Sequence, residues 1–455
     1  MTDATREGSA GRGTPDERPA ARRATVGLVV ALVVVVASFV VPPLLGWDVD
    51  ARSDRLGLPP AHGYLDAKVA PTSLLAVLIA LAGIWHGERL ARTLTWRRLL
   101  LTSYVVGLGW LLTLALVDGG AGLTRVMANQ EEYLVTARQI DDIPAMLGDY
   151  VDRIPTSHPD NWPIHIAGHP PGAVLVHVAL VRVGLDGDLA AALVIVAIAA
   201  TIPLATMIVL RVLGAEPMAR LAAPFLVLTP AAVFLAVSAD AVFAALAAWG
   251  FVALALAATA TGRSGLLGWG VLAGLVLGWC VMSSYGLPLL GILALAVLHL
   301  ARSWWPLPVA AVAALGVVLG FAVLGFTWWE AYPVLVDRYW DGLAASRPAS
   351  YWMWGNLGAL LVSGGPLLGA GLAVAAGRHE GQARTVAVLA GAAALTVGIA
   401  DLSQMSKAEV ERIWLPFVPW LTVSLALLPS GWRRWGLALQ VTTALVVQHL
   451  VYTSW

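Results

Sequence analysis

The sequence predicts an all-α protein that crosses a membrane many times. Of its 455 residues, 59% are hydrophobic and 12% are charged, and the mean hydropathy is +0.78. An average soluble domain has about 45–50% apolar and about 25% charged residues, so this composition excludes a soluble domain. Apolar runs of about 17–25 residues, each long enough to cross the bilayer core, recur along the chain. These observations predict a polytopic bundle of about 13 transmembrane helices.

Charge and cysteine content exclude several kinds of function. The net charge is zero, and only Lys68 and Lys407 among the 28 basic residues are lysines. This dominance of arginine is typical of a GC-rich genome and does not indicate a nucleic-acid-binding surface. The single cysteine, Cys280, lies in an apolar run, so neither a disulfide framework nor a cysteine metal site is available.

The N-terminal segment differs from the rest of the chain. Residues 1–25 are rich in Gly, Pro, Arg, Asp and Glu and have little apolar surface to bury, which predicts a disordered tail. The apolar run from about Val26 is too long for the core of a signal peptide and lacks a convincing small-residue cleavage site. We therefore expect this run to remain as the first span.

Thirteen apolar windows predict the spans. They cover residues 26–46, 69–87, 99–117, 188–210, 218–237, 240–260, 265–283, 285–301, 306–328, 354–376, 384–402, 412–429 and 433–452. A fourteenth run, 170–184, is short, begins with Pro170 and Pro171, and contains His177 and Arg182. Whether it crosses the membrane decides the side on which every later loop lies.

The distribution of arginine predicts the orientation. The loop 88–98 holds four arginines, which places it in the cytoplasm and sends the third span outward. If 170–184 lies in the interface, the later arginine-bearing loops also fall inside, whereas they all fall outside if it crosses. We therefore predict thirteen spans, an interfacial or re-entrant helix over 170–184, and a cytoplasmic N-terminus. The outer segments are then 47–68, 118–187, 238–240, 283–285, 328–353 and 403–411.

The outer segment 118–187 is too long and too organised for a simple connector. Apolar residues recur at helical spacing from Tyr133 to Leu147, which predicts an amphipathic helix on the membrane surface. Prolines break the following stretch, "SHPDNWPIHIAGHPPGAVL", into a shaped loop. A long loop of this kind is either a functional element or a solvated connector, and both interpretations stay open.

Acidic residues near helix ends are the first candidates for catalysis. Glu131 and Glu132 lie close to the end of the third span, where a carboxylate can deprotonate a hydroxyl or hold a divalent metal. Because acidic residues are ordinary in outer loops, the pair alone does not decide the function. Asp240 lies within "VFLAVSADAVFAALAAWG", where a solvated turn and a buried functional role are both open.

Two histidines in the outer segment are candidates for ligand binding. His165 and His169 have the four-residue spacing of a helical zinc pair. Gly168 and the flanking prolines disfavour a helix there, so contact with a phosphate is favoured over metal binding.

Basic residues near the C-terminal spans are also candidates for phosphate binding. In "DLSQMSKAEVERIWLPFVPWL", Lys407, Glu409, Glu411 and Arg412 lie at the outer boundary between two spans. Lysine and arginine at such a boundary can hold a phosphate, and arginine can do so bidentately. For Arg412 alone, snorkelling at a helix end is the alternative.

Taken together, these stretches resemble the GT-C superfamily of membrane glycosyltransferases, which includes protein O-mannosyltransferases and lipid A aminoarabinose transferases. The positions that look like the family pattern are Glu131, Glu132 and Tyr133 after an early span, His169-Pro170-Pro171 before a further helix, Ser238 and Asp240 in a turn, and Arg412 ahead of "WLPFVPW". The family's commoner Asp-Glu form is Glu131-Glu132 here, so both glutamates remain candidates for the base.

The resemblance also implies a domain organisation. It covers residues 99–430, which form a GT-C-like membrane core that includes the outer loop 118–187. Residues 26–98 look like an N-terminal addition of two spans, and 431–455 form the last span.

The resemblance implies an inverting transfer of a sugar from a polyprenyl-phosphate donor to a lipid, glycan or protein acceptor. The resemblance places the expected reaction on the outer face of the cell membrane, with an expected role in cell-envelope glycan or glycolipid assembly. The expected roles are Glu131 or Glu132 as base, His169, Lys407 and Arg412 on the donor phosphate, and Tyr133, His165, Asp240 and Glu411 in support. No cofactor is certain and a divalent metal is possible; membrane lipids are expected partners and nucleic acid is not.

Two other functions remain as alternatives. A secondary transporter would show repeats and intramembrane charges at mid-span, whereas this sequence has no obvious internal duplication and few charges away from span ends. A non-catalytic scaffold with a degenerate transferase fold is favoured if neither Glu131 nor Glu132 faces a site shared with Arg412.

Overall fold

The chain folds almost entirely into helices. A computed structural model describes residues 17–51 and 57–453. In these residues the helices are α1 Glu17–Leu45, α2 Pro71–Thr93, α3 Trp96–Ala115, α4 Ala121–Thr124, α5 Tyr133–Ala137, α6 Ile143–Gly148, α7 Ile164–Ala167, α8 Gly172–Arg182, α9 Asp188–Ala199, α10 Ile202–Val212, α11 Glu216–Val227, α12 Ala232–Leu235, α13 Ala239–Ala258, α14 Arg263–Val281, α15 Leu290–Ala301, α16 Pro306–Val323, α17 Trp328–Asp341, α18 Ala349–Ser363, α19 Leu367–Ala375, α20 Gly381–Leu402, α21 Val410–Ile413, α22 Val418–Thr422 and α23 Ser430–Leu450. The predicted all-α polytopic class is confirmed.

Eight helical segments of the described chain are long and apolar enough to cross a membrane. They are Glu17–Leu45, Pro71–Thr93, Trp96–Asp118, Asp188–Val212, Ala239–Ala258, Arg263–Val281, Pro306–Val323 and Gly381–Leu402. A ninth is reached if α18 and α19, bent by 101° at a short break, count as one span. The predicted count of thirteen is therefore not confirmed.

Window 433–452 forms the continuous helix α23, which is not among the apolar spans, whereas the other remaining windows are interrupted or shorter. Single residues explain two of the interruptions. The window 354–376 bends at Gly364–Pro366, where Gly365 has φ +89°, a backbone conformation that glycine adopts freely. Pro230 separates α11 from α12 within window 218–237, because proline lacks the N–H that would continue the helical hydrogen bonds. Mean hydropathy depends only on the composition of a window, so it does not detect a break at one glycine or proline. These windows were therefore predicted as continuous spans.

The predicted interfacial segment 170–184 forms the short helix α8. At about 1.5 Å per residue its 11 residues extend roughly 16 Å, which is about half of the ~30 Å hydrocarbon core. It packs against α5 and buries Val174 and Val178. Its length therefore favours the interfacial interpretation.

Two other predictions about local structure were wrong. The amphipathic helix expected from Tyr133 to Leu147 is broken into α5 and α6, because Asp142 accepts a hydrogen bond from the Ala145 N–H and starts a new helix. Helix α1 begins at Glu17, so residues 17–25 are helical although they were assigned to a disordered tail. The first sixteen residues lie outside the described part.

The structure also contains a small antiparallel sheet that the sequence did not predict. Strand β1 (Gly63–Leu65) pairs with β2 (Val451–Thr453), with Tyr64 opposite Tyr452. The two tyrosine rings stack at 4.8 Å. This sheet fixes the end of the chain to the segment between α1 and α2.

Helix α13 lies at the centre of the bundle and supports the candidate site. In its apolar window, 83% of the residues are buried, and it packs against α9, α10, α14 and α15. Ser238 caps its first turn by accepting a hydrogen bond from the Ala241 N–H. Asp240, which lies in this first turn, is therefore held by a rigid helix.

Candidate functional site

Four polar side chains from distant parts of the sequence meet at one end of the bundle. Glu132 directly precedes α5, His165 lies in α7, Asp240 lies in the first turn of α13, and Arg412 lies in α21. The residues Glu132, Asp240 and Arg412 are each at most 4% exposed. We call these four residues, together with Glu409, the Arg412 cluster.

The guanidinium of Arg412 faces three carboxylates. Nη1 lies 3.7 Å from Glu132 Oε1, Nε lies 3.5 Å from Asp240 Oδ2, and Nη2 lies 4.0 Å from Glu409 Oε2. All three distances exceed the ~2.7–2.9 Å of a charge-assisted hydrogen bond. One positive charge is therefore shared among several negative groups at a distance.

The imidazole of His165 lies between Arg412 and Glu132, with one ring nitrogen near each. Its Nδ1 lies 3.0 Å from Arg412 Nη2, and because a guanidinium can only donate, this nitrogen accepts. The ring proton of the neutral imidazole then resides on Nε2, which lies 3.6 Å from Glu132 Oε1. His165 thus presents an N–H group to the Glu132 carboxyl.

Burial controls the protonation of Glu132. Burial raises the pKa of this carboxyl to about 7, since the opposing effect of Arg412 is offset in part by the nearby Asp240 and Glu409 carboxylates. A carboxyl with a pKa near neutral can both take and release a proton under physiological conditions. Its position and pKa make Glu132 a candidate general base.

The two adjacent glutamates occupy different environments. Glu131 is exposed, and its Oε2 accepts a hydrogen bond of 2.9 Å from the Ile164 N–H at the start of α7. This contact holds the helix that carries His165. The structure brings Glu132 into the Arg412 cluster and gives Glu131 a contact that stabilises α7.

Tyr133 and His169, both predicted as site residues, help to position the cluster by contacting the backbone carbonyl of His165. The Tyr133 hydroxyl donates to the His165 carbonyl at 3.3 Å, and its ring stacks on His177 at 5.1 Å. The same carbonyl accepts from His169 Nδ1 at 2.8 Å, so the neutral His169 has no proton on Nε2. Burial lowers the pKa of His169. A contact from Nε2 to a phosphate would therefore require the protonated ring.

Lys407 lies in the loop before α21 and Glu411 lies in α21, and both side chains contact backbone groups. Lys407 Nζ donates to the carbonyls of Ala344 and Arg347 at 3.1 and 3.0 Å, and it lies 4.5 Å from the Trp340 ring centroid. The Glu411 carboxylate accepts from the His62 N–H at 3.1 Å. Both contacts fix loops around the cluster.

Sequence reasoning missed Arg347 and His62 at this site. Arg347 Nη2 lies 3.9 Å from Glu409 Oε1, and His62 Nδ1 lies 4.0 Å from the same atom. Neither residue belongs to a recognisable motif or an amphipathic pattern. Glu409, three residues before Arg412, was part of the quoted stretch but was given no role.

The described residues provide no group of three or more His, Cys, Asp or Glu side chains arranged to hold a metal ion. His165 and His169 meet through a ring-to-carbonyl hydrogen bond.

Comparisons with known proteins give a similarity to a solved structure. No family model matches the sequence, and no curated protein matches it. Among solved structures, the chain is similar to the Archaeoglobus fulgidus oligosaccharyltransferase tethered with an acceptor peptide containing the NVT sequon, at 11% identity and a TM-score of 0.45. The similarity covers 77% of this chain and 55% of that chain, so this chain spans about half the length of that protein.

Proposed function

We propose that this protein transfers a sugar from a polyprenyl-phosphate donor to an acceptor hydroxyl at the outer face of the cell membrane, in cell-envelope glycan or glycolipid assembly. The observation that carries this proposal is the buried Glu132 carboxyl, which shares Arg412 with two further carboxylates at the end of a membrane bundle. Strongly perturbed acidic groups beside a fixed positive charge are typical of catalytic sites.

In the proposed reaction Glu132 is the general base. The acceptor hydroxyl oxygen attacks C1 of the donor sugar, and its proton moves to the Glu132 carboxylate. The bond between C1 and the phosphate oxygen breaks, and the polyprenyl phosphate leaves with the bonding electron pair. General-base catalysis of this kind contributes about 10²–10⁴-fold to the rate.

Arg412 is proposed to stabilise the departing phosphate. The leaving group gains negative charge in the transition state, and a guanidinium held in a water-poor site is suited to neutralise it. The Asp240 carboxylate lies nearest to Nε of Arg412, whereas Glu132 lies nearest to Nη1, and we propose that Asp240 holds Arg412 in place. Lys407 is bound to backbone carbonyls, so we assign it to the loop and not to the phosphate.

His165 is proposed as a positioning residue for Glu132. Its Nε2–H faces the carboxyl, while Arg412 fixes the ring from the other side. Replacing it with asparagine, which cannot keep both contacts, is expected to slow transfer more than it changes donor binding.

One observation favours a secondary transporter as a second candidate. The pair α18 and α19 is bent by 101°, and interrupted helices commonly line transporter substrate sites. A transporter would move a solute without forming a glycosidic bond, so product analysis separates the two functions.

The proposed function is tested by mass spectrometry of envelope lipids and glycans from a deletion strain. We expect the deletion to accumulate a polyprenyl-phosphate sugar and to lose a glycan or glycolipid. The wild-type gene should reverse both changes. Unchanged lipid donors and glycans under conditions in which the protein is expressed would contradict the proposal.

A further inference from the structure

Arg347 is a buried arginine whose guanidinium is only partly hydrogen-bonded. It lies in the loop between α17 and α18 and is 6% exposed. Its Nε donates to the Asp50 carbonyl at 3.2 Å, and its Nη1 donates to the Lys407 carbonyl at 2.6 Å. These two contacts fix the plane of the guanidinium. In the described part of the chain, Nη2 is buried without a hydrogen-bond partner and faces Glu409.

Glu409 lies between Arg347 and Arg412 without a short contact to either. Its Oε1 is 3.9 Å from Arg347 Nη2, and its Oε2 is 4.0 Å from Arg412 Nη2. It is the most exposed carboxylate around Arg412, with a side chain 20% exposed compared with 4% for Glu132 and 6% for Asp240. The Glu409 carboxylate is therefore a loosely held anion on the solvent side of two fixed arginines.

The backbone at Glu409 is in an uncommon conformation. Ala408 and Glu409 have φ values of +70° and +63°, in the left-handed region that residues with a Cβ adopt at some cost. Backbone of this kind is often found at functional sites. This segment places the Glu409 carboxylate 4.0 Å from the Arg412 guanidinium.

We propose that Arg347 and Arg412 form a phosphate site that the Glu409 carboxylate fills in this structure and that the donor phosphate takes over by displacing Glu409. This inference rests on the proposed function and adds Arg347 and Glu409 to it. A phosphate group offers more acceptor oxygens than a carboxylate and can bond both guanidinium groups at hydrogen-bond distance. The displaced Glu409, whose side chain is 20% exposed, can turn to solvent.

The proposal makes a prediction of opposite sign to that of a structural ion pair. If Glu409 only holds the two arginines in place, removing its charge weakens an anion site formed by them. If Glu409 competes with the ligand, removing its charge strengthens binding. Glu409→Gln therefore separates the two cases, and a gain of affinity cannot arise from misfolding.

The experiment measures the binding of a short-chain polyprenyl monophosphate without a sugar to the full chain in lipid nanodiscs. We expect at least about threefold tighter binding for Glu409→Gln, as partial removal of one competing ion pair, and at least about tenfold weaker binding for Arg347→Gln, which loses charge-assisted hydrogen bonds. Asp337→Asn is the matched control, because it removes an exposed carboxylate from α17 and is expected to change affinity less than twofold. The corresponding polyprenol, which lacks the phosphate, should not show these differences.

Unchanged or weaker binding by Glu409→Gln, or a wild-type protein that does not distinguish the phosphate from the alcohol, would overturn the inference. The probe carries no sugar and cannot react, so binding is measured independently of transfer. A Glu132→Gln variant that still transfers sugar would refute the proposed base while leaving the phosphate site intact. If the binding test fails while Glu132→Gln loses transfer, the phosphate site is refuted and Glu132 is kept as the base.

Discussion

Two ionic clusters in this molecule have opposite ratios of arginine to carboxylate side chains. Between α10 and α11, Glu216 is shared by Arg211 and Arg220 at 3.0 and 2.8 Å, and the three side chains are 18–45% exposed. In the Arg412 cluster, one arginine is shared by three carboxylates at 3.5–4.0 Å, and the arginine is 3% exposed.

The difference indicates which cluster serves the fold and which is suited to chemistry. The Glu216 contacts are of hydrogen-bond length, and Arg220 also donates to the carbonyls of Ala91 and Leu94 near the end of α2, so this group joins helices. In the Arg412 cluster the carboxylates of Glu132, Asp240 and Glu409 lie 3.5–4.0 Å from the guanidinium, which is longer than the contacts of Glu216. Such an arrangement costs folding stability, and it leaves Glu132 with a pKa of about 7.

The largest expected effect comes from removing the shared arginine. Arg412→Gln leaves buried carboxylates without their positive partner, which should cost about 3–5 kcal/mol in the free energy of unfolding and abolish transfer. The matched variant Arg220→Gln breaks a partly exposed group and should cost about 1 kcal/mol. Thermal unfolding of both variants in the same detergent measures the difference. Equal losses would contradict the contrast between the two clusters.

The next effect is a pH dependence that arises from Glu132. Because burial raises the pKa of this carboxyl from 4.5 to about 7, the base form appears as pH rises through about 7, and kcat/KM should rise with it. Between pH 4.5 and about 7, the native state keeps the Glu132 proton that the unfolded chain has released. The free energy of unfolding should therefore fall as pH rises through this interval. Glu132→Gln should remove both dependences, which kinetics and unfolding measured against pH can test separately.

A smaller effect is expected from Asp240→Asn. The Asp240 carboxylate is one of the groups that raise the pKa of Glu132, so its loss should move the midpoint of the pH–rate profile to lower pH. The same substitution loosens Arg412, so the rate at high pH should also decrease. A midpoint that moves upward would show that Asp240 acts on Glu132 mainly through Arg412.

The smallest effect is expected at the cluster between α10 and α11. Glu216→Gln removes partly exposed ion pairs and should change the free energy of unfolding by at most about 1 kcal/mol, with transfer unchanged. Measured activity and melting temperature of this variant provide the baseline for the others. A loss of transfer here would show that this loop takes part in function.

The sequence identified the members of the site better than their roles. The positions of Glu132, Asp240 and Arg412 relative to the apolar runs placed them at one end of the bundle, and they meet there. The adjacent residue Glu131 could not be separated from Glu132, because their difference depends on a contact with α7, 33 residues further along the chain. Arg347 could not be found because its position is fixed by backbone carbonyls, which leave no mark in its own sequence pattern.

The fold shows the same limit. Composition was sufficient to predict a helical membrane bundle, because apolar runs must be hydrogen-bonded internally in a bilayer. The bends and breaks near Gly365 and Pro230 depend on single residues within otherwise apolar windows. The pairing of β1 with β2 joins segments almost four hundred residues apart, beyond the reach of any local pattern.

The central claim is that Glu132, and not its neighbour Glu131, is the base of a sugar transfer. It is tested most directly by incubating envelope vesicles that contain each variant with an isotopically labelled polyprenyl-phosphate sugar and measuring the labelled product. We predict that Glu132→Gln lowers the rate at least about 100-fold, whereas Glu131→Gln, which keeps an oxygen to accept the Ile164 N–H, retains most of it. Full activity in Glu132→Gln at normal protein levels would contradict the account.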